Sequence, residues 1–581
     1  MHGQPKYPAG FERFEYTSSK AVKGGALKIA GTGSFDSLNQ FISKGVAEPN
    51  LGLIYDSLMV GSADEPSTLY GLVAQSIEYP KDRSEITFNL NPNAIFSDGK
   101  KITASDVEFT FKKLTTEGDP QYKLYFADVE KITVLSENAV NFKLKHNRNQ
   151  ELIMSIATLP ILPKHYWQGR EFNKTTLEIP VGSGPYTIER LDAGRQVTYL
   201  RNANYWAQDI NVNKGLYNFN RVIVDYYRDL DVALEAFKSG AYDYQYELMS
   251  KAWATAYDVP AVKNGDIQKI MLPDDNIQGM LGILFNTRKP PLNDAALREA
   301  MSLAFDFEWT NKNMFYGLYA RSDSFFENSE LEATGTPSKE ELALLTPLKD
   351  QLPPTTFGEK YAVAVTDGSG NNRTSLGRAK QLLDKAGYTI KNNQLIDPKT
   401  QKAVEFEYLE RQQGFERVIS PWLANLKKLG ISVNFRMLDQ AQWITRLQDY
   451  DFDMLALSYP PTLSPGAEQA LYWGSESAKT PMSSNYIGIQ NPAIDSLITH
   501  VVEAKNREAQ IIAARALDRA LINNHYLVPL YHNRSHRIAY WNKFERPETT
   551  THYDFRQRVG MYTWWYSKEK DQALKKAQKQ K

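Results

Sequence analysis

The chain has 581 residues, 42% of them hydrophobic and 23% charged, the balance of a folded protein with several lobes and more material than one core holds. Its 68 Lys and Arg equal its 68 Asp and Glu, so no global field draws in nucleic acid or an anionic membrane. Cysteine is absent, which removes thiol nucleophiles, disulfides and cysteine metal sites and suits an oxidising compartment.

No run of about eighteen apolar residues occurs, so no spanning helix is predicted. Met1–Pro5 lacks the basic and apolar regions of an export signal, and the expectation for an exported protein is that its signal peptide has been removed. The 33 Tyr, 26 Phe and 10 Trp supply large rigid contact surfaces with polar tips, suited to a wet binding site or to a large core.

In chain order, Lys23–Ala30 reads as a short strand after Gly24-Gly25, and Gly31 to Asp36 as a loop able to approach a ligand closely. The loop's two glycines match neither the dinucleotide nor the P-loop pattern. Asn50–Val60 reads as a helix. Ile86, Phe88 and Leu90 alternate with Thr87 and Asn89, the period of a strand with one buried face. Ser97-Asp98-Gly99 makes a turn, and Thr103 with Asp106 caps a helix whose stripe is Val107, Phe111 and Leu114. Val232–Asp243 puts Ala233, Ala236 and Phe237 on a helical stripe closed by Gly240, followed by Tyr242, Tyr244 and Tyr246 at strand spacing. Leu297, Ala300, Met301 and Ala304 form a capped helix after Pro290-Pro291. Helical stripes at Ala379–Ala386 and Trp422–Leu429, each closed by glycine, alternate with strands and argue for an α/β lobe with a largely parallel sheet. Residues 330–370, rich in Pro, Gly and Thr, read as a long surface loop, and 567–581 as a solvated, mobile tail.

Several of these segments, in order, resemble the extracellular solute-binding proteins of peptide-type ABC importers. They are DGKKITASDVEFTFKKL, the VGSGPY turn, AFKSGAYD, FNTRKPPLND and NPAIDSLI. Within that family, DVEFTFKKLTTEG, LAFDFEWTNKNMFYG, ALDRAL and TWWY look closest to the YejA-type peptide binders. The resemblance runs from about Lys23 to Tyr566. It implies an α/β, two-lobed periplasmic-binding-protein fold of cluster C type with an extra subdomain, hinged by two crossover segments. Residues 1–60, 177–283 and 460–581 would form lobe I, 61–176 the extra subdomain and 284–459 lobe II. Gly282–Asp294 and Asp451–Pro461 would be the crossings. It further implies a periplasmic monomer, not itself membrane-spanning, that takes up peptides in an interlobe cleft and hands them to a membrane permease, without cofactor, metal or nucleic acid.

The ligand-binding candidates are Phe35, Tyr244, Tyr246, Glu247, Trp253, Asn286, Ser458, Tyr459, Glu468, Trp473, Tyr486 and Trp564. The family commonly holds the ligand amine with an aspartate after the return strand. Here that stretch, LSYPPTLSPGAEQALYW, has none, and Glu468 is the nearest acid. Pro460 and Pro461 remove two donors, so strand pairing is expected to stop near Tyr459.

Catalytic signatures are missing: there is no G-x-S-x-G elbow and no H-E-x-x-H. His525, His532 and His536 have helical spacing, but Pro529 interrupts that helix and no metal is expected. A secreted hydrolase or glycan-active protein remains the alternative, since 68 acids offer many carboxylate pairs.

Overall fold

The structure is a computed structural model and describes residues 3–145, 151–412, 414–460, 462–553 and 558–579. The described chain divides into two compact units. One contains 249–254 and 275–534; the other contains 3–248, 255–274 and 535–581.

The second unit is built on a seven-stranded sheet. Its spatial order is Ile267–Pro273, Ser535–Trp541, Tyr244–Tyr246, Ala26–Thr32, Arg221–Tyr227, Gln196–Arg201 and Tyr186–Asp192. The Ala26–Thr32 strand runs parallel to both of its neighbours. Tyr242, expected on one face with Tyr244 and Tyr246, precedes the strand, and Tyr244 and Gln245 are both buried because this short strand lies inside the sheet.

Beside it lies an antiparallel sheet of Ala74–Glu78, Glu85–Leu90, Ala139–Leu144 and Val129–Ser136. Ile86, Phe88 and Leu90 are buried as their alternation requires. Helix Ala104–Glu117 buries Val107, Phe111 and Leu114, and Asp106 accepts hydrogen bonds from the Thr103 N–H at 2.9 Å and hydroxyl at 2.7 Å. These residues share one core with the seven-stranded sheet.

Asn50–Val60 is not a helix. Only Leu51–Ile54 makes a short 3-10 turn, and Tyr55 is already extended. Tertiary bonds override the local pattern: the Ile54 carbonyl accepts from the Gly184 N–H at 2.9 Å, and the Asp56 N–H donates to Ser183 Oγ at 3.0 Å. Gly182 is required by this approach, since a Cβ there would lie 1.8 Å from the Ile54 oxygen.

The first unit contains a mixed sheet ordered Ser432–Met437, Glu405–Glu410, Met454–Tyr459, Met280–Phe285 and Leu527–Pro529. The first three run parallel, while Met280–Phe285 is antiparallel to both of its neighbours. Pairing of the Met454–Tyr459 strand ends at Tyr459, as expected from Pro460; Pro461 lies outside the described residues. The two expected crossings are therefore neighbouring strands inside one unit, and the chain changes unit instead at 248/249, 254/255, 274/275 and 534/535. Residues 462–534, assigned above to lobe I, also belong here. Leu527–Pro529 completes this sheet, and helices Pro492–Val502 and Arg507–Asn523 fill its core.

Residues 330–370 are not a surface loop. They include helix Lys339–Leu345 and two 3-10 turns, with Leu331, Ala333, Leu345 and Leu352 buried. A buried cation holds them: Arg519 pairs with Glu341 at 2.7 Å and donates to the carbonyls of Gly335 and Thr334. The expected tail after Tyr566 is helix Lys568–Lys579, anchored by buried Leu574 and by Asp571, which accepts from the Tyr566 hydroxyl at 2.7 Å. The three histidines share no helix. His525 and His532 sit in the first unit and His536 in the second.

Arg519→Met should destabilise the first unit by about 3–5 kcal/mol in denaturant titration, because it strands Glu341, and Arg519→Met with Glu341→Leu should recover most of that loss. In the second unit, burial pushes the Asp56 carboxyl up to about 7 against the hydrogen bonds donated by Tyr205 and Trp206. A carboxyl that holds its proton more tightly when folded makes stability fall as pH rises from 3.8 toward about 7. Asp56→Asn should flatten that slope, read as the difference in unfolding free energy between acid and neutral pH.

Candidate functional site

The Ala26–Thr32 strand pairs with Arg221–Tyr227 along its whole length, from Ala26–Arg221 to Thr32–Tyr227. With Tyr244–Tyr246 it pairs only at Ile29–Tyr244. Beyond Ile29 these two strands part, and the edge of Ala30, Gly31 and Thr32 on that side has no ladder partner from the Tyr244–Tyr246 strand. A cavity of about 250 Å³ occupies the gap, lined by this edge and by Tyr226, Tyr244, Tyr246, Asn50 and Arg558 among others. An exposed strand edge beside aromatic walls suits an extended backbone ligand, since main-chain pairing does not depend on the ligand's side chains.

Each wall has a support. Tyr226 stacks obliquely on buried Phe35 with ring centres 4.9 Å apart, and its hydroxyl donates to Glu48 Oε1 at 2.9 Å. Glu48 is fully enclosed and also accepts from the Asn50 N–H, the Asn50 amide and the Tyr199 hydroxyl. Burial, reinforced by the Glu48 charge, pushes both phenols above their ordinary range, so they remain protonated donors. Tyr244 packs edge-on against Trp564 at 5.5 Å, and Trp564 against Tyr540 at 4.6 Å. The Tyr246 hydroxyl bonds His536 Nδ1 at 2.9 Å, and His536 Nε2 faces Asp274 at 3.3 Å. The Arg558 guanidinium donates to the Pro49 carbonyl at 3.0 Å.

Of the twelve candidates, Tyr244 and Tyr246 line this cavity and Phe35 and Trp564 back its walls. Glu247 is buried nearby, but its carboxylate accepts the Tyr257 hydroxyl at 2.9 Å.

The first-unit candidates are largely structural. Asn286 is fully buried, donating to the carbonyls of Tyr450 and Phe452 at 2.9 Å each. Tyr459 and Trp473 pack on each other at 4.3 Å within the core, and Trp473 Nε1 donates to Gln469. Glu468 closes its own turn by accepting the Gly466 N–H. Ser458 is exposed at the sheet, Tyr486 is half-buried, and Trp253 is buried on helix Ser250–Thr255.

Sequence reading missed Tyr226, Glu48, Asn50 and Arg558, which carry no local motif. Two glycines offered the only local signal. A Cβ at Gly31 would meet the Tyr226 ring at 2.6 Å, and one at Gly560 the Tyr244 ring at 2.5 Å.

The sequence profile of the bacterial extracellular solute-binding proteins, family 5 Middle, matches residues 68–481. The chain belongs to this family. It is 39% identical over 576 residues to the probable peptide-binding protein YejA of Agrobacterium fabrum, covering 97% of this chain and 93% of the relative. It is 37% identical to the peptidoglycan-binding protein YepA of the same organism, over 97% and 94% of the two chains. Among solved structures, the oligopeptide-binding protein AppA of Bacillus subtilis, in complex with a nonapeptide, superposes with a TM-score of 0.69 over 94% of this chain and all of that one. At 18% identity that match speaks for the fold. The mixed α/β fold is thus that of the solute-binding family, and the hydrolase or glycan-active reading finds no support in these relatives. No helix among the described residues is long and apolar enough to cross a membrane.

Proposed function

We propose that the protein is the substrate-binding component of a peptide importer of ABC type, working outside the inner membrane as a monomer and passing peptide, chemically unchanged, to a membrane permease. The observation that carries the reading is the open strand edge at Ala30–Thr32 over a tyrosine-walled cavity, in a chain whose relatives are named for binding peptides and peptidoglycan. Peptidoglycan carries peptide stems, so the peptide is the element common to both names.

A ligand strand laid along this edge gains about 0.5–1.5 kcal/mol net per hydrogen bond. Immobilising it costs on the order of 4–15 kcal/mol. The edge alone therefore does not suffice, and burial of the ligand against Tyr226, Tyr244 and Tyr246 supplies the remainder.

Mass spectrometry of small molecules released by denaturing the purified protein should show peptides, and incubation with them should leave them intact; turnover would move the protein to the enzymes. Gly31→Val should drive the Tyr226 ring into the cavity and weaken peptide binding at least about tenfold in calorimetry, with an unchanged circular dichroism spectrum.

A further inference from the structure

Tyr226 and Tyr246 line the cavity, and each hydroxyl is bonded to a partner within the same unit. A phenol has one proton to give and an oxygen that accepts. Which of the two a ligand meets depends on what the partner takes.

For Tyr226 the answer follows from charge. Its hydroxyl donates to Glu48 Oε1 at 2.9 Å, and a carboxylate only accepts. Glu48 takes the Tyr199 hydroxyl in the same way. For Tyr246 the answer passes through two further residues. Its hydroxyl bonds His536 Nδ1 at 2.9 Å, and Nε2 of that ring lies 3.3 Å from Asp274 Oδ2. A bare Nε2 would set its lone pair against a carboxylate oxygen, so Nε2 carries the hydrogen. In the neutral ring Nδ1 is then bare and accepts, which makes the Tyr246 hydroxyl the donor. Sheet register holds this pair together: His536 lies opposite Leu272, and Asp274 directly follows the Ile267–Pro273 strand.

We infer that His536, oriented by Asp274, is a positioning residue for Tyr246, and that both wall phenols spend their protons away from the cavity and offer it oxygen acceptors. The ligand group they read is an N–H, not a carbonyl or a carboxylate. Arg558 is the cation among the lining residues, so like charge disfavours an ammonium, and the donor that fits is the neutral N–H of a peptide bond. The identity of the ligand rests on the peptide reading; the direction of the two hydroxyls does not.

The test uses the full chain with synthetic tetra-alanine and with analogues in which one N–H at a time is replaced by an ester oxygen. In calorimetry at least one ester should bind the wild type at least about tenfold more weakly than the amide. Tyr226→Phe or Tyr246→Phe should bring the amide-to-ester ratio toward one at the affected position, a coupling that a general loss of stability does not produce. Asp274→Asn keeps the shape and lets the ring take its hydrogen on Nδ1, as the same exchange does in a serine protease triad, so it should shrink the ratio at the Tyr246 position. Nitrogen-15 spectra of the histidine rings in the ligand-free protein at neutral pH, assigned with His536→Gln, should show hydrogen on Nε2 of His536 and a bare Nδ1. Hydrogen on Nδ1, the lack of any ester penalty, or penalties that persist in both phenylalanine variants would overturn the inference and leave the peptide reading standing. Failure of tetra-alanine to bind a protein whose Nδ1 is bare would count against the peptide reading instead.

Discussion

The Ala26–Thr32 strand meets its two neighbours unequally, and the site depends on that inequality. It pairs with Arg221–Tyr227 along its full length and with Tyr244–Tyr246 only at Ile29. A ladder that continued to Thr32 on both sides would satisfy every backbone group and leave no cavity. Because the second ladder stops, the sheet interior opens at a point where backbone groups are already aligned for pairing, at the cost of one shortened strand.

That opening holds its shape because a buried carboxylate is fully committed around it. Glu48 gathers Asn50, Tyr199 and Tyr226, which fixes the Tyr226 ring as a wall without leaving its hydroxyl unpaired. Elsewhere in the wall His536 pairs the Tyr246 hydroxyl, while Tyr244 is held by the Trp564 ring and its buried hydroxyl has no partner among protein atoms. Gly31 and Gly560 leave room for the two rings, so small residues in the backbone and large ones in the walls are parts of one arrangement. Polar satisfaction and packing thus act together: the Tyr226 and Tyr246 hydroxyls are oriented by a carboxylate and an imidazole, the Tyr226 and Tyr244 rings by aromatic contact.

The first unit is organised differently. Its candidates Asn286, Tyr459, Trp473 and Glu468 are taken up by its own core and turns. Asn286 bonds two carbonyls of the Tyr450–Phe452 turn, and Glu341 with Arg519 pins a segment whose composition resembles a loop. A buried amide or ion pair whose atoms are all in use has none left for a ligand. This accounts for the contrast between residues that look functional by type and residues placed where a ligand can reach them.

Local structure was legible wherever short-range periodicity and chain punctuation agreed. Strand Glu85–Leu90, the Thr103–Asp106 cap, the Asp294-capped helix and the end of pairing at Tyr459 follow from alternation, capping chemistry and proline. Tyr244 and Tyr246 were visible as phenols at strand spacing. What failed were the judgements that required partners distant in the chain. Asn50–Val60 lost its helix to Gly184 and Ser183, 330–370 gained helices because Arg519 reaches it, and Met280–Phe285 proved to be a neighbour of Met454–Tyr459 rather than a crossing. Periodicity is a property of a few consecutive residues, so the sequence by itself determined the elements whose pattern no distant contact overrides, and its run of motifs determined the family. The register at which Ile29 meets Tyr244, and the reach of Tyr199 and Tyr226 to Glu48 that braces the cavity, join residues far apart in the chain, and only the tertiary structure decided them.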